Sequence, residues 1–285
     1  MKKLSIGIQK SGRLSEKSLD LLKESGITLA NGSRKLLSTS QNFPLEAVFL
    51  RDDDIPQYVF DGVTDAGIVG ENVVREKDHE LQIVERLGFA RCRMSIALPK
   101  GIDYSGPEQL DGKKIATSYP NILGTYLAEN HIDSEIHVIS GSVEIAPGIG
   151  LADAIFDIVS TGSTLISNGL KEVEVVLESE AVLVARPDLD LEKKEILEQL
   201  LFRIRAVRKS RDNKYILLNA PNDRLDEIIQ VIPGMKSPTI MPLAEEGWSS
   251  VHSVLNENEF WEIIDRLRDL GAQGILVIPI EKMII

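Results

Sequence analysis

The sequence contains one cysteine, Cys92, among 285 residues. A single thiol excludes an internal disulfide framework and any zinc site that needs two cysteines. We expect Cys92 to be a small, buried or half-buried residue. The four histidines are scattered along the sequence, and we expect none of them to bind a metal. A chain of this length buries roughly 75% of its unfolded surface, so it needs neither kind of staple.

Long apolar runs and an excess of positive charge are also missing. No hydrophobic stretch approaches the roughly 20 residues of a membrane helix, and the first residues do not resemble a signal peptide. We therefore expect a cytoplasmic protein without a membrane partner. The 32 basic and 44 acidic residues give a net charge of −12, which argues against a nucleic-acid partner. The net negative charge does not exclude a small anionic substrate, because a local basic pocket or a bound Mg²⁺ can outweigh the overall charge of the protein at the binding site.

Strand and helix signals alternate along the first 200 residues, which predicts an α/β fold with mostly parallel sheets. Ligands bind at the carboxyl ends of the strands in such sheets. Ser15 is predicted to cap the first helix. Segments 62–66 and 150–154 share a short sequence pattern before a predicted strand. The pattern is weak evidence for two similar lobes, and coincidence explains it about as well. The predicted strands are 4–8, 47–50, 65–70, 94–98, 114–117, 136–139, 157–159 and 181–185, and a long amphipathic helix covers 191–209.

A different order of elements begins near Lys214. Strand and helix signals there follow the order βαββαβ, which is the ferredoxin-like arrangement. This arrangement is common in modules that sense small molecules, although a fold alone does not establish a function.

Asp157 begins a buried strand that runs into a turn rich in hydroxyl groups. Hydroxyls and backbone N–H groups in such a turn suit a phosphate, and Gly162 permits a close backbone approach or a positive φ. The alternative is a Ser/Thr helix cap after a buried strand. The candidate phosphate ligands are Ser160, Thr161, Gly162, Ser163 and Thr164.

Taken with that turn, other motifs along the chain resemble the ATP phosphoribosyltransferase family, which catalyses the first step of histidine biosynthesis. The motifs are QKSGRL at 9–14, RDDDIP at 51–56, GIVGEN at 67–72, IATSYP at 115–120, GSVE at 141–144, SPT at 237–239 and PIEKM at 279–283. The resemblance covers essentially the whole chain and implies the long form of the enzyme, which carries its own regulatory domain.

The resemblance implies a two-lobed, periplasmic-binding-protein-like catalytic region followed by a ferredoxin-like regulatory domain. Lobe I is expected to comprise residues 1–95 plus 181–211. Lobe II, with the phosphoribosyl pyrophosphate loop, is expected at 96–180. The histidine-sensing domain is expected at 212–285.

The implied reaction is attack by N1 of the adenine of ATP on the anomeric carbon of phosphoribosyl pyrophosphate, with pyrophosphate as leaving group. Such a displacement develops oxocarbenium-like charge on the ribose. Mg²⁺ is the implied cofactor, held largely by substrate oxygens and water rather than by a carboxylate cage. No general base is expected, because adenine N1 already has a free lone pair.

The resemblance also assigns roles to individual residues. Which acid meets the ribose hydroxyls stays open between Asp157, Asp153 and Glu144, with Glu144 preferred. Lys10, Arg13 and Arg51 have solvated surface charge as their alternative, and the aspartates at 52–54 suit an acidic helix start at least as well as a metal site. Arg91 and Arg93 are weaker candidates. The expected catalytic residues are Lys10, Arg51 and Glu144; the phosphoribosyl pyrophosphate ligands are Asp157 and the turn residues Ser160 to Thr164; the ATP ligands are Arg13, Glu71 and Tyr119; and the histidine ligands are Asn219, Ser237, Thr239 and Gly274.

The expected partners are ATP, phosphoribosyl pyrophosphate and histidine as inhibitor, within a homo-oligomer of dimers that assemble to hexamers. Two other functions fit parts of the sequence. A non-catalytic binder of solute-binding fold explains the two lobes, but it has no use for a phosphate turn beside a sensor domain. A ligand-sensing regulator needs a basic DNA-binding output module, and we find none.

Overall fold

The computed structural model describes residues 2–30, 36–232 and 234–284. The chain divides into two compact units, the first formed by residues 1–23 with 27–198 and the second by 24–26 with 199–285. The boundary falls inside a long helix. The three domain ranges predicted from the sequence stay a prediction, and they include residues 1, 31–35, 233 and 285, which lie outside the described residues.

Two sheets build the first unit. The strands of the first sheet are β1 (Leu4–Gln9), β2 (Leu37–Thr39), β3 (Leu45–Leu50), β4 (Ala66–Gly70), β5 (Gln82–Arg86) and β11 (Ala181–Ala185). The strands of the second are β6 (Cys92–Pro99), β7 (Lys114–Thr117), β8 (Glu135–Val138), β9 (Ala154–Val159) and β10 (Leu170–Ser179). The helices are α1 (Arg13–Glu24), α2 (Ile55–Phe60), α3 (Glu71–Lys77), α4 (Pro120–Glu129), α5 (Ser163–Ser167) and the start of α6 (Leu191–Arg211).

Apart from the additional edge strand β2, the six-stranded first sheet has the same strand order as the five-stranded second sheet. The first runs β2-β3-β1-β4-β11-β5 and the second β8-β7-β9-β6-β10. In each sheet, three parallel strands lie side by side in the order second, first, third, counted along the chain. An antiparallel strand, β11 or β6, pairs with the third of them, and the chain forms this strand where it crosses between the lobes. This is the two-lobed, periplasmic-binding-protein-like arrangement, and the predicted fold class is confirmed. Segments 62–66 and 150–154 lead into β4 and β9, so their shared sequence pattern lies at corresponding positions in the two sheets.

Apolar side chains of the central strands form the cores. In β1 the side chains of Leu4, Ile6 and Ile8 are fully buried. In the second sheet Ile115 and Phe156 are fully buried in the same way. Ile115 and Phe156 belong to one cluster, and their chain neighbours Ala116 and Ile155 belong to another, so the second sheet is covered on both faces, as parallel sheets require.

The second unit contains the predicted βαββαβ order. Its elements after α6 are β12 (Asn213–Pro221), α7 (Leu225–Val231), β13 (Thr239–Pro242), β14 (Trp248–Asn256), α8 (Glu257–Asp269) and β15 (Gln273–Pro279). The sheet order β13-β14-β12-β15, antiparallel throughout, is ferredoxin-like. Leu218, Val251, Phe260 and Leu267 fill the core between this sheet and its helices.

Two sequence-based expectations about local structure were wrong or incomplete. Ser15 does not cap α1, because the helix starts at Arg13, the amide of Glu16 bonds to the Gly12 carbonyl at 3.1 Å, and Ser15 is buried inside the first turn. The strands β2, β5 and β10 were not predicted. All three lie at or next to a sheet edge, where polar residues replace the buried pattern of a central strand.

Candidate active site

Positively charged side chains line the carboxyl edge of the first sheet. Lys10 follows β1 and Arg51 follows β3, and the amide of Lys10 donates to the Leu50 carbonyl at 2.7 Å, so the two residues are neighbours. Arg13 begins α1 just after Gly12, which has φ +94°. All three side chains are exposed, and none has an ion-pair partner within the described residues. Their charge is therefore available to an anion.

Glu71 begins α3 at the carboxyl end of β4, next to β1 in the sheet. Its side chain is only 1% exposed and is held by Arg75, at 2.9 Å, and by Arg86. Burial opposes its ionisation, but the hydrogen bonds from Arg86 and Arg75 outweigh burial and hold the pKa of the Glu71 carboxyl below its ordinary value. Glu71 thus orients two arginines, and its oxygens are already occupied.

The hydroxyl-rich turn follows β9 at the carboxyl edge of the second sheet. Gly162 has φ +77° and lets the chain turn sharply into α5. Thr161 Oγ1 lies 3.0 Å from Ser163 Oγ, and the two hydroxyls share a hydrogen bond. Ser160, Thr161, Ser163 and Thr164 are exposed. The five predicted turn residues are therefore brought together with their polar groups open to solvent.

Tyr119 belongs to the second lobe, and the charges of acidic residues from both lobes act on its phenol. It precedes α4 at the carboxyl end of β7 and packs against the core of the second sheet. Burial and the charges of Asp157, Asp53 and Asp52 raise the pKa of its phenol, so it stays protonated. The charges that act on Tyr119 thus come from both lobes, Asp52 and Asp53 from the first and Asp157 from the second.

The three acids considered for the ribose lie in different places. Glu144 sits in the short helical turn Val143–Ile145, and its charge, after burial, contributes to raising the pKa of Asp157. Those two carboxyls are therefore close. Asp153 lies at the opposite, amino end of β9, where its carboxylate accepts the amide of Lys114 at 2.9 Å. The ribose role considered for Asp153 is thus inconsistent with its place in the sheet.

A cavity of about 590 Å³ opens beside the turn, at the crossover between the lobes. Sequence reasoning weighed Arg91 and Arg93 only weakly and missed Arg86. The available signal was the pattern of alternating arginines at 91 and 93 beside the predicted crossover. Burial raises the pKa of the Cys92 thiol, which keeps it protonated and unreactive. The cavity is lined by Arg86, Arg91, Cys92, Arg93, Ser160, Glu178, Ser179 and Glu180.

The four predicted histidine ligands form two pairs in the second unit. Asn219 on β12 lies beside Gly274, where an added Cβ would be 3.2 Å from Asn219 Nδ2. Thr239 begins β13 opposite His252 of β14, and Ser237 is exposed two residues earlier. Asn219 is separated from β13 by β14, so the two pairs do not touch each other directly. His252, which sequence reasoning did not consider here, lies between Tyr215 at 2.7 Å and Ser250 at 3.0 Å.

Neither a metal cluster nor a membrane span was found in the described part of the chain. Across residues 2–30, 36–232 and 234–284, no group of three or more His, Cys, Asp or Glu side chains is placed to hold a metal ion. In the same residues, no helix is both long enough and apolar enough to cross a bilayer.

Comparison with known proteins decides the family. The family model described as ATP phosphoribosyltransferase matches residues 51–206, and the model of the HisG C-terminal domain matches residues 210–282. The chain belongs to the ATP phosphoribosyltransferase family. An ATP phosphoribosyltransferase of Bacteroides thetaiotaomicron is 61% identical over 99% of this chain and 100% of its own length. The one from Cytophaga hutchinsonii is 60% identical over 99% of this chain and 98% of its own.

Solved structures agree with this family assignment. The ATP phosphoribosyl transferase (HisG:HisZ) complex from Thermotoga maritima contains a chain that is 30% identical, with a TM-score of 0.60, over 71% of this chain and 98% of that one. The predicted activity, transfer of a pentosyl group to ATP in the first step of histidine biosynthesis, is confirmed by the family and its full-length relatives. A non-catalytic solute binder is set aside, because the full-length relatives are enzymes of this family.

Proposed function

We propose that the phosphoribosyl transfer takes place between the carboxyl edges of the two sheets of the first unit. One observation carries this proposal: the hydroxyl-rich turn and Tyr119 lie on one edge, and the unpaired cations Lys10 and Arg51 lie on the other. The two edges meet two different requirements of the reaction. The edge with the turn offers a site for the 5′-phosphate, and the edge with Lys10 and Arg51 offers positive charge for the leaving pyrophosphate.

The turn from Ser160 to Thr164 would hold the 5′-phosphate of phosphoribosyl pyrophosphate through hydroxyls and backbone amides. Glu144, with Asp157 close to it, would accept hydrogen bonds from the ribose hydroxyls. Asp157 accepts a hydrogen bond only from the Ile158 amide, at 2.7 Å, among the described residues, so it retains acceptor capacity. These contacts fix the ribose without a covalent intermediate.

Lys10 and Arg51 would stabilise the charge that develops on pyrophosphate as the C1–O bond breaks. Arg13 and Tyr119 would bind ATP, with Tyr119 packing its ring against the base or ribose. The role of Glu71 in ATP binding is revised: its buried carboxylate would act through Arg86 and Arg75 rather than touch ATP. Since adenine N1 needs no base, positioning and charge stabilisation account for the catalysis.

The described residues contain no cluster of three candidate metal ligands. Carboxylates of the proposed site could therefore supply at most one or two ligands to a magnesium ion. Mg²⁺ would neutralise charge on the departing pyrophosphate and would be held mainly by phosphate oxygens and water. Glu144 and Asp157 are the nearest carboxylates to the proposed ribose site.

Residues 212–285 would bind histidine and inhibit the enzyme, through Asn219, Gly274, Ser237 and Thr239. We propose a cytoplasmic homo-oligomer of dimers that assemble to hexamers. The match of residues 210–282 to the C-terminal domain of the family supports the regulatory module. The bounds of lobe I, at 1–95 plus 181–211, and of lobe II, at 96–180, stay a proposal. The division of the strands between two sheets supports two lobes, whereas residues 199–211 fall in the second compact unit.

The deciding experiment measures pyrophosphate release and N1-phosphoribosyl-ATP formation together. Both products should require ATP, phosphoribosyl pyrophosphate and Mg²⁺, and a chelator should stop the reaction. Lys10→Met should lower kcat by about 100-fold if it stabilises the leaving group, whereas Lys3→Met, at the opposite end of β1, should change nothing. A folded protein that forms neither product would overturn the proposal.

A further inference from the structure

Arg93 of β6 connects the crossover of the lobes to the phosphate turn. Its Nη1 donates to the carbonyl oxygen of Ser160 at 3.2 Å. The remaining edge of the guanidinium binds Glu172 of β10 through Nε and Nη2. Ser95 Oγ donates to the same carboxylate at 2.7 Å. Arg93 is therefore fixed on both sides, which is unusual for a side chain that is one-third exposed.

The contact with Ser160 sets the direction of one peptide plane. A trans peptide is planar, so the carbonyl of Ser160 and the amide N–H of Thr161 point in opposite directions. With the carbonyl held towards Arg93, the Thr161 N–H points away from it. The amide hydrogens of Thr161 and Gly162 have no acceptor within the described residues. The turn thus presents donors that nothing in the described chain uses.

The same contact also affects charge. A carbonyl oxygen that faced a phosphate would repel it, and the guanidinium keeps that oxygen turned aside. Bidentate pairing of an arginine with a carboxylate is geometrically specific, so Glu172 restricts Arg93 to one rotamer. Glu172 is itself anchored on the neighbouring strand, where it pairs with Ala97 of β6 in the sheet register.

We propose that Arg93, held by Glu172, is a positioning residue that orients the Ser160–Thr161 peptide so that its N–H faces the 5′-phosphate of the substrate. This inference rests on the proposed function of the turn. Arg93 acts through the backbone and does not touch the reacting atoms. A pairing that only joins β6 to β10 would predict a loss of stability without a loss of phosphate recognition.

Inhibition by two fragments of the substrate separates these roles. Ribose 5-phosphate carries the 5′-phosphate, and inorganic pyrophosphate carries only the leaving group. In Arg93→Met, the inhibition constant for ribose 5-phosphate and the KM for phosphoribosyl pyrophosphate should rise about 10-fold, the size of one lost charge-oriented hydrogen bond. The inhibition constant for pyrophosphate and the KM for ATP should stay within about 2-fold. Arg93→Lys, which still donates to Ser160, should recover part of the affinity.

A double-mutant cycle tests whether Glu172 acts through Arg93. Glu172→Gln alone should weaken ribose 5-phosphate binding, but it should add nothing in the Arg93→Met background. Two matched controls are available. Glu174→Gln, on the same strand, removes the charge of the carboxylate that accepts from the Tyr104 hydroxyl. Arg186→Met breaks a similar pairing with Asp188 at the far end of β11. Neither control should alter fragment binding.

Four outcomes would overturn the proposal. Unchanged inhibition by ribose 5-phosphate in Arg93→Met would show that the pairing with Glu172 only joins β6 to β10. Equal weakening of both fragments would indicate general damage to the cleft, and weakening of pyrophosphate alone would indicate direct contact of Arg93 with the leaving group. Additive effects of the two substitutions would exclude action through Arg93. Wild-type turnover is measured in the same series, so absence of the transferase reaction itself is recognised as failure of the proposed function.

Discussion

Asp65 and Asp153 occupy corresponding positions in the two lobes. Asp65 precedes β4 and its Oδ2 accepts the amide of Ser5 in β1 at 2.9 Å; Asp153 precedes β9 and its Oδ2 accepts the amide of Lys114 in β7 at 2.9 Å. In both sheets the aspartate thus fastens the third parallel strand to the first. Only Asp65 is buried, and only it receives a lysine, Lys193 of α6, at 2.7 Å.

This difference predicts unequal costs for the same substitution. Asp65→Asn removes the charge that Lys193 and Ser5 share in a buried site, and it should lower the free energy of unfolding by about 3 kcal/mol. Asp153→Asn, at an exposed site, should cost less than about 1 kcal/mol. Urea denaturation at constant m-value measures both. Equal costs would show that burial and Lys193 contribute nothing at Asp65.

Hydroxyl groups of the turn should contribute directly to substrate affinity. Thr161→Ala and Thr164→Val should each weaken phosphoribosyl pyrophosphate binding by about 10- to 150-fold, because each removes a hydrogen bond to a charged phosphate. Gly162→Val should be worse, since a β-branched residue is strained at φ +77°. Calorimetry measures the affinities. Thr125→Val, which removes an exposed hydroxyl on α4, is the control. Unchanged affinity in both turn variants would mean that these hydroxyls do not bind the substrate.

Acid should remove the contribution of Glu71 to stability. The pKa of its carboxyl in the folded protein lies below the ordinary value of 4.5. The stabilisation is therefore complete above that value and is lost as the pH falls through the lower, folded pKa. Because the two arginines are half exposed, Glu71→Gln should cost only about 1–2 kcal/mol at pH 7.

The measurement compares unfolding of wild type and Glu71→Gln between pH 7 and pH 3. The difference between them should shrink on the acid side. Glu80→Gln, an exposed glutamate, should follow the wild type throughout. A difference that stays constant down to pH 3 would mean that the charge of Glu71 is not what stabilises the fold.

Histidine should inhibit the enzyme through the second unit. Ser237→Leu or Thr239→Phe should raise the histidine concentration for half inhibition about 10-fold while uninhibited turnover stays nearly intact. Gly274→Ala should act in the same direction, because its Cβ would press on Asn219 at a φ of +58°. Lys236→Leu is the neighbouring control. Parallel loss of turnover and sensitivity would mean that these residues are structural.

Reciprocity gives an independent check of that regulation. If histidine weakens equilibrium binding of a substrate, that substrate must weaken histidine binding by the same factor. Titration of histidine with and without phosphoribosyl pyrophosphate measures the factor, and a factor of one would show that histidine acts on turnover rather than on binding of this substrate.

The elements that carry buried residues were largely predictable from sequence. The strand at 114–117 and the strand at 181–185 have the predicted bounds, because apolar residues in these central strands mark their ends. β10 escaped prediction since Glu172, Glu174 and Glu178 interrupt its apolar residues. The partners of those charges are distant in the sequence: Arg93 of β6 pairs with Glu172, and Tyr104, in the loop after β6, donates to Glu174. Long-range ion pairs of this kind leave no periodic signal in the sequence.

The site shows the same division. The turn at 160–164 and the basic loops were found because each is a contiguous segment of the sequence. The burial of Glu71 was not, because it depends on Arg86, 15 residues away, reaching back across the sheet. The place of Asp153, by contrast, was readable from the sequence: it precedes the predicted strand at 157–159, so it lies at the amino end of β9, away from the turn at 160–164.

The position of β11 has a consequence for biosynthesis of the chain. Among the described strands, β5 is hydrogen-bonded only to β11, which is synthesised roughly 95 residues later. At about 5–20 residues per second, the first sheet waits about 5–20 s with the edge of β4 open while the whole second lobe is made. The nascent first lobe therefore has an unpaired edge of the kind that invites aggregation. Rapid closure of the second lobe, which brings β11 back, is what ends that exposure.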